Sequence, residues 1–321
     1  MTDPNDQLPE GFDQFVKEHI EPLFAALQQQ RAHARKSLRK YGLIGMCIGI
    51  GAAGIAFFVF HLFWAIVVGV LVAPGFLGLI PGTMQLAKAK DAFGQQHLVK
   101  ITEFLGLSYQ DAGFEPPKFE IFTQLDLVPA GHRRSFTHLV GGAHQGLEFT
   151  VYEAHIEERR TRTRTHSNGR TTTETYWVTV FNGQLLHSPY ARKFASTTVI
   201  ARDKGWFNTK GRFGKTMKPM GLADPEFEKL FEVYTTDQVE GRFLVDPIFM
   251  LRLLELEDKY KNRKPTAAFF EQGVFVALHG GTEFFGKLDK HATATGLARQ
   301  TVTAFSHIFH FLEMLKGKNH Q

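Results

Sequence analysis

The spacing of apolar positions changes character along the chain, and each change marks an element. Phe12, Phe15, Val16, Ile20, Leu23, Phe24 and Leu27 recur at three- and four-residue steps, which predicts an amphipathic helix within residues 1–40. Between Lys40 and Lys88 there is then no Asp, Glu, Lys or Arg. The apolar heart of that run, 42–82, would make a helix of roughly 60 Å against a hydrocarbon core of about 30 Å. One span is too short to use it. The pattern therefore predicts a two-helix transmembrane hairpin over 41–87, with spans at 42–60 and 63–82 and a turn near His61, beside Phe60, Phe63 and Trp64. Phe93, Leu98, Ile101, Phe104 and Leu105 restore a helical stripe over 88–113. The two flanking stripes can bury on each other as a juxtamembrane stalk, or each can lie on a membrane surface.

Gly113 to Pro117 breaks the helix and opens a domain over 114–321 in which the period falls to two. Phe149, Val151 and Glu153 alternate with Thr150, Tyr152 and Ala154, a strand signature, and strands recur at 176–181 and 197–202. Asn168-Gly169 is the strongest hairpin signal, because both centres of a type I′ turn need positive φ. Asp224-Pro225 and Asp246-Pro247 each place a capping acceptor before a proline suited to the first helical position. The second opens a stripe of Ile248, Leu251, Leu254 and Leu256. A further hairpin is expected around Gln272-Gly273 and a last helix over about 297–316. Strands grouped before helices give an α+β domain with an antiparallel sheet, anchored by the hairpin.

Charge orients this picture. Arg31, Arg35, Lys36, Arg39 and Lys40 precede the run, Lys88 and Lys90 follow it, and its tip has no basic residue. By the positive-inside rule both termini and the main domain are cytoplasmic, which predicts a multi-pass protein of the bacterial inner membrane, with two spans. Gly45, Gly49 and Ala53, and again Gly78 and Gly82, suit close helix packing as well as ordinary membrane-helix composition. The formal net charge is +5, so anionic partners are allowed and not required. The single cysteine, Cys47, excludes a disulfide framework and a cysteine-rich zinc site.

The segment from Leu222 to Tyr234 (LADPEFEKLFEVY), running into Asp237 to Pro247 (DQVEGRFLVDP), resembles a bacterial family catalogued as domain of unknown function 3137. Glu153-Ala-His155 and Phe181-Asn-Gly183 are weaker echoes, and Gly241 stands where the pattern has Ala. The resemblance implies a membrane-anchored domain over roughly 115–285 with no established activity, and it brings no catalytic residue.

Candidate chemistry concentrates on one hairpin. Arg159 to Thr165 alternates Arg and Thr, and Arg170 to Trp177 returns from the turn. A two-residue loop at Asn168-Gly169 would set Arg160 across from Trp177, Arg162 from Thr175 and Arg164 from Thr173. Arg160, Arg162 and Arg164 then share a face, a phosphate-seeking surface on which Arg160 could stack on Trp177. Anionic lipid headgroups or protein acid groups fit that surface better than nucleic acid, and a merely solvated edge ribbon is the bland reading. Glu153, His155 and Glu157 also alternate on one strand face, but residues two apart sit about 7 Å from each other, so a tight catalytic site needs a neighbouring strand. Gly211 to Thr216 lacks the glycine spacing of a P-loop, and His307 and His310 lack a third ligand. Neither metal nor cofactor is expected.

The sequence thus points to a membrane-anchored interaction, scaffold or regulatory module with a protein partner and without established catalysis. The alternatives are a hydrolase-like or metal-dependent enzyme using Glu153 and His155, or an anionic-lipid or nucleic-acid binder through Arg159 to Arg164.

Overall fold

Among the described residues nine strands form a single antiparallel sheet in the order β1-β2-β3-β4-β9-β8-β5-β7-β6. The strands are β1 (Ser108–Gln110), β2 (Arg133–His144), β3 (Leu147–Thr165), β4 (Thr171–Pro189), β5 (Thr198–Arg202), β6 (Lys218–Met220), β7 (Phe231–Thr235), β8 (Lys264–Phe270) and β9 (Gly273–His279). The computed structural model describes residues 8–36, 39–40, 47, 64–165, 171–190, 193–202, 216–259, 264–280 and 292–317, with backbone alone at 64–82, 259 and 314–317. The helices are α1 (Phe12–Phe15), α2 (Trp64–Phe104), α3 (Phe119–Gln124), α4 (Pro225–Glu228), α5 (Gln238–Leu244), α6 (Pro247–Lys259) and α7 (Ala294–Gly317). The chain divides into two compact units, one of Leu8–Ile101 with Lys287–Gln300 and one holding the sheet.

In the sheet unit, alternation along each strand sends side chains to two covered faces. Tyr152, Ala154 and Ile156 of β3 join Phe181, Leu185, Phe275 and Ala277 in a core closed by Phe119 and Phe122 of α3. On the opposite face Phe149 meets Phe309 of α7, and Phe269 meets Phe249 of α6 at 5.1 Å between ring centroids. The turns follow local chemistry. Gln145 and Gly146 both have positive φ between the paired His144 and Leu147, as a two-residue type I′ turn requires. The expected hairpin near Gln272 forms, but Glu271 and Gln272 are its positive-φ centres and Gly273 pairs with Phe270. Asp224 and Asp246 cap their helices as the sequence suggests, accepting from the backbone of Glu226 and Phe227 and of Phe249.

In the other unit, α1 continues through a π-helical turn (Val16–Ile20) and a helix over 21–36. Its stripe buries Phe12, Phe15, Val16, Ile20 and Leu27, and Phe24 meets Phe93 edge-on at 5.9 Å. His97, 2% exposed and stacked on Phe93, has its pKa pushed down to about 4 by burial.

The transmembrane expectation is corrected here. Among the described residues no helix is long and apolar enough to cross a membrane. The helical stretches described with their side chains carry charged groups along them. In α2, for example, Lys88, Lys90, Asp91 and Lys100 follow one another along one continuous helix ending at Phe104. The two-span hairpin over 41–87, the integral-membrane partner and the multi-pass inner-membrane placement lose their structural basis with it. The first expected span and the turn at His61 lie outside the described residues apart from the helical Cys47, as do the side chains of 64–82. The α+β domain with a large antiparallel sheet stands.

Candidate interaction site

The long strands β3 and β4 outrun their neighbours and continue as a two-stranded ribbon. Up to Ile156 the ladder has the expected register, with Ile156 opposite Phe181, but Glu157 pairs with Thr179 and Val180 becomes the extra residue of a bulge. Beyond it Arg159 faces Trp177, Arg160 faces Tyr176, Arg162 faces Glu174 and Arg164 faces Thr172. A one-residue slip exchanges faces. The expected pairings of Arg160 with Trp177, Arg162 with Thr175 and Arg164 with Thr173 are therefore replaced, and Trp177 leaves the arginine face. Arg160, Arg162 and Arg164 do share a face, but Glu158 and Glu174 share it too, and Glu158 lies 3.3 Å from Arg160. Asn168-Gly169 lies outside the described residues; the last described pair, Thr165 with Thr171, encloses residues 166–170.

The other ribbon face continues the strand face of Glu153 and His155. The Arg133 guanidinium covers the Trp177 ring at 4.2 Å and reaches the Glu157 carboxylate at 3.3 Å, while His155 lies 3.8 Å from Glu157. The neighbouring strands that the sequence left unnamed are now identified. Glu153 lies between Thr137 and Gln184, and His155 between Ser135 and Asn182. Glu153 and Gln184 are buried. Close by, the Tyr109 hydroxyl meets Asp111 at 3.0 Å and His138 Nδ1 at 2.9 Å, with His138 at φ 55 on a bulge of β2. Burial, with Asp111 and Glu153 nearby, holds the Tyr109 phenol protonated far above its usual range. Burial likewise lowers the His138 pKa, against the pull of Asp111. Among the described residues no group of three His, Cys, Asp or Glu could hold a metal. An open groove of about 540 Å³ is lined by Ser108, Gly141, Thr150 and His187, not by Glu153 or His155. The arrangement organises strand ends through hydrogen bonds and charge. The P-loop-like segment lies outside the described residues, Thr216 excepted.

The sequence missed a set of exposed apolar side chains. Val239 and Phe243 on α5 are 81% and 40% exposed, and Ile248 and Leu251 on α6 are 58% and 53% exposed. Val239 and Phe243 are four residues apart and Ile248 and Leu251 three, so each pair shares one face of its helix. Two residues join the helices. The stripe from Ile248 suggests a core face, yet α6 buries Phe249, Met250 and Leu253 and leaves Ile248 and Leu251 outside. Both helices are braced. Asp237 caps α5 through the Val239 and Glu240 amides, and the Glu240 carboxylate accepts from the Ala195 and Ser196 amides. Ser196, with the Ala195 amide, holds the Glu240 pKa below its ordinary value. Gly241 lets α5 lie close to β7, since a Cβ there would sit 2.9 Å from Thr235 Oγ1 and 3.0 Å from Met220 Sδ. On α6, Glu257 pairs with Arg202 at 2.9 Å.

Residues 179–316 match the model of a protein family of unknown function, DUF3137, a range that contains both α5 and α6. No curated protein matches the chain. A mycobacterial structure, the trehalose monomycolate transport factor A, TtfA, is similar at 9% identity and a TM-score of 0.34, over 69% of this chain and 94% of that one.

Proposed function

We propose that the chain acts as a protein-interaction module whose partner covers the apolar faces of α5 and α6, both of which lie within the stretch that matches the DUF3137 model. The observation that carries this reading is the exposure of Val239 and Phe243 on α5 and of Ile248 and Leu251 on α6, each between 40% and 81%. Scattered apolar residues are ordinary on a surface, but neighbouring ones on a rigid frame suit a docking site. Covering an exposed side chain of this size contributes about 1.5–3 kcal/mol. Scaled by exposure, the four together offer roughly 5 kcal/mol before the cost of association, enough to anchor a contact and too little to dominate a tight one.

A photo-crosslinking amino acid placed at Val239 or Ile248 in living cells tests the reading. One discrete adduct should form at both positions, be absent from a control at exposed Glu115, and disappear when Phe243→Asp and Leu251→Asp are added. Adducts no different from those at Glu115 would sink it.

A further inference from the structure

Where β2 stops, β3 runs on with a bare edge, independently of the helical surface. We propose that this outer edge, from Arg160 to Thr165, takes up an extended acidic segment of a protein partner as an added antiparallel strand. Beyond Glu157, which pairs with Arg133 at the start of β2, residues 158–165 pair only with β4 among the described residues. The chain ahead of β2 leaves the edge instead of lining it. Gly131, at φ 62, passes so close over Ile156 that a Cβ there would overlap its side chain. His132 is the last described residue to serve the edge. Its N–H donates to the Glu157 carbonyl at 2.8 Å, and its Nδ1 accepts from the Arg159 N–H at 3.4 Å. Odd-numbered residues of β3 therefore turn their backbone groups outward. The bulge adds its extra residue to β4, so β3 keeps this alternation. Thr161, Thr163 and Thr165 each present an N–H and a C=O that no described strand receives.

The side chains along the edge decide what fits it. Arg160, Arg162 and Arg164 alternate with the threonines, share one face and are all exposed. Toward the open edge they hold the non-hydrogen-bonded positions, where opposite side chains come closest. Among the described residues only Arg160 of the three has an ion pair, to Glu158 at 3.3 Å. Carboxylates at every second position of an added strand would face these guanidinium groups. The residues between them would exchange backbone hydrogen bonds with Thr161 and Thr163. An extended backbone suits the edge because it brings donors and acceptors in alternation. A phosphate chain brings acceptors, leaves the outward carbonyls unmatched, and meets Glu158 and Glu174 on the arginine face. At roughly 3.4 Å per residue, Arg160 to Thr165 offers about 20 Å of edge, the length of an ordinary strand.

Titration of the purified full chain with labelled heptapeptides tests this. The probe alternates Thr with Glu. One control has the same composition with its glutamates in a block, and a second is the probe with its Thr amides N-methylated, which removes the donors that would face β3. The probe should bind with a dissociation constant below about 1 mM, at least tenfold more tightly than either control, and weaken as salt rises. Arg162→Ser combined with Arg164→Ser should lower its affinity at least tenfold. Thr163→Pro keeps every arginine and removes an N–H that points away from β4, so it should leave the ribbon paired and still cost at least tenfold in affinity. Equal affinity for the probe and the N-methylated peptide, a comparison that needs no variant to fold, overturns the proposal. So does wild-type affinity in Thr163→Pro, or a probe that does not bind by about 1 mM. Heparin binding that Thr163→Pro leaves intact, with no preference among the peptides, would overturn it in favour of a polyanion.

Discussion

Helix α6 carries two apolar faces, and adjacent residues on it should respond very differently to truncation. Phe249 is fully buried, with its ring 5.1 Å from Phe269 and 6.2 Å from Phe311. Phe249→Ala removes that ring and leaves a cavity in a close-packed layer, which costs about 3–5 kcal/mol. For a unit of this size a loss of 1 kcal/mol lowers the melting temperature by about 2–4 °C, so the expected fall is on the order of 10 °C. Ile248, one residue earlier, is 58% exposed. Ile248→Ser should cost less than about 1 kcal/mol, with contributions only from its covered part and from helix propensity. Urea unfolding of both variants against wild type, with the slope unchanged, measures the contrast. A loss for Ile248→Ser comparable to that for Phe249→Ala would refute the orientation of α6, and with it the outward apolar surface.

Two further outcomes are expected. A Cβ at Gly183 would fall on the Leu278 carbonyl of the neighbouring strand, so Gly183→Ala should force β4 and β9 apart. Soluble yield and melting temperature should both drop sharply, and a melting temperature within about 2 °C of wild type would contradict that packing. His187 is the pH-sensitive case. Its folded pKa is about 4 against an ordinary 6.5, mainly through burial, with Lys118 adding to the effect. The unfolded chain therefore takes up this proton first on acidification. The stability that neutral His187 contributes is present above pH 6.5 and is lost progressively as pH falls toward 4, up to about 3 kcal/mol. Melting curves of His187→Gln between pH 7 and 4 should show a shallower loss than wild type, and identical slopes would exclude the effect.

What could be read from the sequence was local. Asp224 and Asp246 announced their helices because a cap needs only a side-chain oxygen and the next few amides. The alternation from Phe149 to Ala154 announced β3 because one strand covered on both faces is still a strand. What escaped depended on partners far along the chain. Nothing near Val180 marks it as extra; the mismatch is set by β3 crossing from the sheet into the ribbon. The α6 stripe misled because Ile248, Leu251 and Leu254 fit a helical period as well as Phe249, Met250 and Leu253 do. The rings of Phe269 on β8 and Phe311 on α7 decide which row turns inward. The charge-free run suggested a membrane by hydropathy alone, while the part of α2 described with its side chains, 83–104, carries Lys88, Lys90, Asp91 and Lys100.

The Val180 bulge has a consequence for how this strand can vary. Since Phe181 already faces Ile156 and Thr179 already faces Glu157, losing Val180 would close the ladder into regular alternation with every cross-strand partnership kept. Most single-residue deletions in a strand throw all that follows onto the wrong side. Here one deletion would cost little beyond the packing of a single valine, so the ribbon and the sheet can gain or lose this residue without either having to be rewritten.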